Sequence, residues 1–228
     1  ESLLNRTDNY SKYTTTLQKA LNLGIYSADL SYASMFDQTQ IAIQYMGISK
    51  IMAQDLGVLN AIDEEIIHRL ETNINSRDSI MEIITESFMN SDIYLKENGR
   101  PETAAIILAG GWIEGLYLAV KSVDSKRSGN DDLVDRIIDQ KISLSSLIQL
   151  LESYHNIEMV NRLLIDIRKV SNVYENFDVV YSHIETLTDP DDRTTVLKAR
   201  TDVFKSANAL KSLGYVVDSL RTQYVKGM

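Results

Sequence analysis

The chain has 228 residues, of which 44% are hydrophobic, and carries a formal net charge of -9 at pH 7. This charge argues against a nucleic-acid-binding protein and against binding to an anionic membrane surface, because affinity for phosphates depends on clusters of Lys and Arg. The sequence contains no Cys, which excludes disulfides, thiolate metal sites and cysteine nucleophiles. It contains only two Pro and ten Gly, as is typical of long helices with short connections.

Apolar residues recur at helical spacing along nearly the whole chain, which predicts an all-α fold. We expect a bundle of about eight helices in one domain, residues 1–228. The first helix is predicted over residues 8–23. A strongly apolar stretch follows over residues 25–56, with breaks near Asp37 and Gly47. Asn60 is a candidate N-cap for a short helix that ends near Asn73.

The next two helices have clear boundary signals. Asn75 or Ser76 is the candidate cap of a helix that Gly99 ends; its apolar residues include Ile80, Ile84, Phe88 and Leu95. Pro101 then begins a helix at the first turn, where its missing N–H costs nothing. Residues 104–120 of this helix carry one charge, Glu114, and are shorter than the roughly 20 apolar residues that cross a membrane. The sequence therefore predicts a helix buried in a core.

The stretch at residues 125–131, SKRSGND, is the best candidate for a boundary between two packed halves, 1–125 and 130–228. Beyond it, residues 133–138 indicate one helix and residues 144–154 another. A regular 4-3 spacing of apolar residues then predicts a helical seam that needs a partner helix. The seam consists of Leu163, Ile167, Val170, Tyr174, Phe177, Tyr181 and Ile184.

A second segment offers a matching seam after a turn at Pro190, which can begin a helix. The two seams predict a long antiparallel helical hairpin formed by residues 157–187 and 190–224.

Three predicted helices share a glycine followed by an acid: Gly24 with Asp29, Gly111 with Glu114, and Gly214 with Asp218. Two interpretations are open. The pattern is either an internal repeat, although the spacing is not constant, or a set of close helix crossings beside hydrogen-bonded acids.

Glu114 is the most informative residue of the chain, because Gly110, Gly111 and Gly115 surround it in an apolar helix. We expect it to be buried and either to bond a tyrosine or basic side chain of another helix or to face a small cavity. The candidate ligand-binding residues are Asp29, Trp112, Glu114 and Tyr117. The twelve tyrosines indicate amphipathic packing at the margin of the core, or a polar cavity or groove.

A di-metal carboxylate site is the main catalytic alternative. Such bundles place one acid on each of two helices and a Glu-x-x-His pair on each of two others. The candidate ligands, in chain order, are Asp29, Glu65, His68, Glu114, Glu152 and His155. Helical phase weakens the idea, because the apolar face with Ile66 and Leu70 leaves Glu65 and His68 on the opposite side. No cofactor is predicted on this basis.

Four segments carry a resemblance to known proteins: LGIYSADLSYA at 23–33, NSRDS at 75–79, YLKENGR at 94–100 and AGGWIEGLY at 109–117. The chain resembles, over most of its length, a family of exported or lipid-anchored proteins of Bacteroidetes whose activity is not established. The resemblance implies a periplasmic or cell-envelope location, with a lipid anchor upstream of Glu1. We expect a non-enzymatic protein that binds a small molecule or a protein partner in a groove beside the helix at 104–120; the alternative is an oxidase-like metal enzyme.

Overall fold

Helices make up most of the protein. The computed structural model describes residues 3–59, 64–74, 76–123, 131–181, 185–189, 194–198, 201–204 and 207–227. Its helices are a 3-10 helix at Thr7–Lys12 and α1 Thr16–Met35, α2 Thr39–Asp55, α3 Glu64–Thr72, α4 Arg77–Glu97, α5 Pro101–Ser122, α6 Asp131–Glu152, α7 Glu158–Tyr174 and α8 Ala207–Val225. The predicted helical bundle of about eight helices is confirmed.

The closest packing in the bundle is the crossing of α1 and α5. A Cβ atom on Gly24 would lie 2.0 Å from the carbonyl oxygen of Ile107, and one on Gly110 would lie 2.0 Å from that of Leu21. Glycine is therefore required at both positions, because any side chain would collide with backbone. This crossing fits the interpretation that the glycines of the glycine and acid pattern mark close helix crossings.

Helix α5 is the central element of the core. It packs against α1, α4, α6, α7 and α8, and its buried residues include Ile106, Ile113 and Leu116. It is the one helix in the described ranges with the length and apolar composition to cross a membrane, and most of that segment is buried inside the bundle. Burial in a core, as the sequence predicts, accounts for its composition.

The start of α1 differs from the prediction of a helix over residues 8–23. The side chain of Thr15 accepts a hydrogen bond from the Gln18 backbone N–H, and the Gln18 side chain accepts one from the Thr15 N–H. This capping box begins the helix at Thr16. The helix does not end at Gly24 but continues to Met35. Gly24 lies inside the helix, at the crossing with α5.

The other boundaries are confirmed in part. The break near Asp37 is present, with a positive φ of 55° at that residue, but the predicted break at Gly47 is wrong because α2 continues through it. The boundaries of α4 and α5 at Ser76, Gly99 and Pro101 are confirmed. Asn60, Asn75 and the stretch at 124–130 lie outside the described residues.

Residues 131–152 form one helix, α6, and not the two helices predicted over 133–138 and 144–154. The segment contains neither Pro nor Gly. It has no residue that would interrupt the backbone hydrogen bonds of a helix.

The prediction of one long C-terminal helical hairpin, from residues 157–187 and 190–224, is wrong in its central part. The predicted seam is buried from Leu163 to Phe177, and α7 packs against α8, but a β-ribbon separates the two helices. Its strands are β1 Asp178–Tyr181, β2 Glu185–Asp189, β3 Thr194–Lys198 and β4 Thr201–Phe204. β1 pairs antiparallel with β4, and β2 with β3. These strands are rich in Val and Thr, which favour strands because their branched Cβ restricts χ1. Pro190 lies outside the described residues.

Candidate functional site

Two buried acids meet next to the crossing of α1 and α5. Asp29 follows Gly24 by five residues on α1, and Glu114 follows Gly110 by four residues on α5. Both side chains are fully buried, at 0% exposure. A buried carboxylate is costly unless it is paired, so the partners of these two acids define the chemistry of the cluster.

Arg221 of α8 is the partner of Glu114. Its Nε donates to Oε2 of Glu114 at 3.0 Å, and its Nη2 donates to Oε1 at 3.0 Å. The guanidinium group also lies over the ring of Tyr117, 4.6 Å from the ring centroid. The prediction that Glu114 is buried and bonded by a basic side chain from another helix is therefore confirmed. The two-point geometry is the strong form of an Arg–carboxylate pair.

Asp29 is held by a backbone group and lies near Glu114. Its Oδ2 accepts a hydrogen bond from the backbone N–H of Asn5 at 3.0 Å. Burial, followed by the nearby Glu114 charge, holds the pKa of Asp29 well above its ordinary value. Burial also raises the pKa of Glu114, and Arg221 opposes that rise. Arg221 therefore favours the ionised form of Glu114, whereas burial beside that charge favours the protonated form of Asp29.

The cluster binds the N-terminal segment of the chain. Arg221 Nη2 donates to the carbonyl oxygen of Leu3 at 3.0 Å. The hydroxyl groups of Tyr45 and Tyr26 donate to the carbonyl oxygens of Asn5 and Arg6 at 2.6 and 2.8 Å. Side chains from α1, α2 and α8 thus hold residues 3–6 in place.

The side chain of Asn5 extends this network to the C-terminal helix. Its Nδ2 donates to the Tyr13 hydroxyl at 3.1 Å, and that hydroxyl donates to the carbonyl oxygen of Val225 at 3.0 Å. Asn22 adds a second link, since its Nδ2 donates to the carbonyl oxygen of Tyr224 at 3.1 Å. The tyrosine excess therefore serves, in part, to satisfy buried backbone groups.

The four predicted ligand-binding residues separate into two places. Asp29, Glu114 and Tyr117 belong to the buried cluster. Trp112 faces α6, where its Nε1 donates to the Ser143 hydroxyl at 3.0 Å, and it lines a groove between α5 and α6. Ligand contact by these four residues stays a prediction.

Sequence reasoning missed Arg221, although a signal was present. Arg221 lies four residues after Val217 and three before Tyr224, which is the 4-3 spacing of the seam predicted in residues 190–224. A charge at this spacing lies beside the buried face and needs an acidic partner.

The structure does not bring the six candidate di-metal ligands together, because Asp29 and Glu114 are buried and the other four are exposed. Glu65 and His68 are exposed on α3, and Glu152 and His155 are exposed at the end of α6 and just after it. Glu152 pairs with Arg168 at 2.7 Å, away from the Asp29 cluster. Among the described residues, no group of three or more His, Cys, Asp or Glu side chains is placed to hold a metal ion. Helical phase explains the result, because the polar face of α3 points away from the core.

A separate apolar cleft lies between α1, α2, α3 and α4, with Ile107 of α5 also in its wall. Its volume is about 160 Å³. The apolar side chains that line it are Leu23, Leu30, Met46, Ala53, Leu59, Ile67, Leu70, Ile84, Phe88 and Ile107. Gly47, four serines, Lys50 and Glu71 complete the lining. No local pattern in the sequence marks this cleft, because its wall combines residues from distant parts of the chain.

Comparison with known proteins gives no relative from which a function could be transferred. No protein family, no curated protein and no solved structure matches the chain.

Proposed function

We propose that this protein is a non-enzymatic binding protein that holds the hydrocarbon part of a small molecule in the cleft between α1, α2, α3 and α4. The observation that carries the proposal is the cleft itself, an apolar space beside the crossing of α1 and α5. The sequence predicts a groove beside residues 104–120, which belong to α5. The proposed ligand would also contact α5, at Ile107.

The size of the cleft supports a small apolar ligand. An engineered protein cavity of about 150 Å³ with an apolar lining stays dry and binds benzene. The cleft here has a volume of about 160 Å³ and a mostly apolar lining. It therefore has room for one small ring or a short hydrocarbon segment, and water gains little by filling it.

Two of the four serines in the lining are already hydrogen-bonded. The hydroxyl groups of Ser27 and Ser87 donate to carbonyl oxygens of their own helices, at 2.8 and 2.7 Å. Lys50 is exposed at the edge of the cleft. These two serines thus need no partner from the ligand. Lys50 and Glu71 are the charged residues of the lining, and of the two Lys50 suits an anionic end group such as a carboxylate.

A cell-envelope location is part of the same proposal, and it rests on the resemblance to exported proteins of Bacteroidetes. Fractionation of cells that express the natural full-length gene product tests it. Recovery in the envelope fraction is expected, and recovery with cytoplasmic proteins would reject the location without affecting the binding proposal.

Binding of octanoate, a short fatty acid, tests the function by isothermal titration calorimetry. Gly47 lines the cleft, and a Cβ atom there would meet nothing within 4 Å. Gly47→Phe is therefore expected to fill the cleft without disturbing α2 and to weaken octanoate binding about tenfold or more.

Gly115→Phe is the matched control. Gly115 is also an exposed helical glycine with open space around a Cβ atom, but it lies outside the cleft. The control is expected to bind octanoate like the parent protein. If the parent does not bind octanoate, or if both variants lose binding equally, the proposed cleft is not the ligand site.

A further inference from the structure

A second apolar cleft adjoins the first on the other side of Phe88. It lies between α4 and α5 and reaches the C-terminal end of α6, where Leu150 belongs to its wall. Phe88, Ser91 and Ile107 line both clefts. The Phe88 side chain is half-buried, and together with Ser91 and Ile107 it forms the boundary that the two clefts share.

The volumes of the two clefts indicate a shared occupant. The first measures about 160 Å³ and the second about 210 Å³. Sites for small molecules usually span about 300–1,000 Å³. Neither cleft reaches this range alone, but the two together exceed its lower limit.

The second cleft also exposes apolar surface that a chain-like ligand would cover. Met89 and Leu108 line it and are 62% and 48% exposed. Covering such side chains removes apolar area from water, which favours binding in proportion to the area. A compact ring in the first cleft would leave both of them uncovered.

We propose that the ligand is a single unbranched hydrocarbon chain, such as that of a fatty acid, which occupies the first cleft and continues past Phe88 into the second. This inference rests on the proposed function and specifies the class of ligand. An unbranched chain suits the site because it is the narrowest shape that could cross this shared boundary and is long enough to contact both clefts.

The experiment compares octanoate with tetradecanoate, each below its micelle concentration, by calorimetric titration of the full chain. Each buried methylene contributes about 0.8 kcal/mol, which is close to a fourfold gain in affinity. Only part of the longer chain becomes buried, so we expect tetradecanoate to bind about tenfold or more tighter than octanoate.

Two variants test whether the extra affinity for tetradecanoate comes from the second cleft. Ala104 lines only the second cleft, so Ala104→Phe is expected to remove the gain for tetradecanoate and leave octanoate binding unchanged. Leu108→Glu is expected to act in the same direction by placing a charge at an exposed position of this cleft. Ala119→Phe, on the same helix but outside both clefts, is the matched control.

The outcomes separate this inference from the proposed function. Equal affinities for the two fatty acids, or a chain-length gain that survives both Ala104→Phe and Leu108→Glu, would overturn the long-chain ligand and leave octanoate binding in the first cleft intact. Absence of binding by either fatty acid would instead reject the proposed function.

Discussion

Asp29 and Glu114, which are 85 residues apart, are both fully buried and lie close enough together for the Glu114 charge to raise the pKa of Asp29. The glycine crossing of α1 and α5 brings them together, and Arg221 balances the negative charge of the pair. Both Asp29 and Arg221 also bond the N-terminal segment, through Asn5 and Leu3. The cluster therefore couples the packing of α1, α5 and α8 to the position of residues 3–6.

Glu114→Gln is expected to lower the free energy of unfolding by about 3 kcal/mol. The amide is nearly isosteric with the acid but leaves the buried guanidinium of Arg221 without its counter-charge, and breaking a buried pair costs about 3–5 kcal/mol. Denaturant unfolding at neutral pH measures the change. Glu97→Gln, at an exposed position of α4, should stay within about 0.5 kcal/mol of the parent. Full tolerance of Glu114→Gln would show that the ion pair adds no stability.

Asp29→Asn is expected to flatten the dependence of stability on pH. The fold raises the pKa of Asp29 above its unfolded value of about 3.9. Its contribution to stability is therefore fully present below that value and is lost as the pH rises through the folded pKa. An amide in its place can still accept the hydrogen bond from the Asn5 backbone N–H, and it does not titrate. In thermal melts between pH 5 and pH 9, the melting temperature of the variant should rise relative to that of the parent as the pH increases.

Asp55→Asn is the control for that series, because Asp55 is half-exposed and forms a surface ion pair with Lys19 at 2.7 Å. Its melting curves should run parallel to those of the parent across the pH range. If the curves of Asp29→Asn also run parallel to those of the parent, Asp29 is already ionised in the fold.

Gly110→Ala is expected to destabilise the fold by about 1–3 kcal/mol or more, because the new Cβ would lie 2.0 Å from the Leu21 carbonyl oxygen and would force α1 and α5 apart. Gly115→Ala should instead raise stability by about 0.5–1 kcal/mol, since its Cβ meets open space and alanine favours a helix. Equal unfolding midpoints for the two variants would contradict the close crossing.

Phe177→Asp is expected to cost about 3–5 kcal/mol, because it removes a buried aromatic side chain and buries an unpaired charge. Phe177 is 4% exposed, and its ring centroid lies 5.7 Å from that of Tyr174. Tyr215→Asp is the control, since Tyr215 is 78% exposed on α8 and should change stability little. A Phe177→Asp protein that melts like the parent would exclude this residue from the core.

The sequence alone determined the features that depend on neighbouring residues. Helical periodicity identified the bundle, and Pro101 and Gly99 fixed boundaries because each restricts or permits a particular backbone conformation. The apolar surroundings of Glu114 were enough to predict its burial. The same periodicity failed after Phe177, because Val, Thr and Tyr at those spacings fit a helical seam as well as strands.

Only the tertiary structure decided which groups meet. Asp29, Glu114 and Arg221 come from the first, fifth and eighth α-helices, and their pairing depends on where the backbones of α1 and α5 touch. The cleft likewise exists only where side chains from five helices leave space unfilled. Local spacing cannot specify such sites, because their energies come from contacts between residues far apart in the chain.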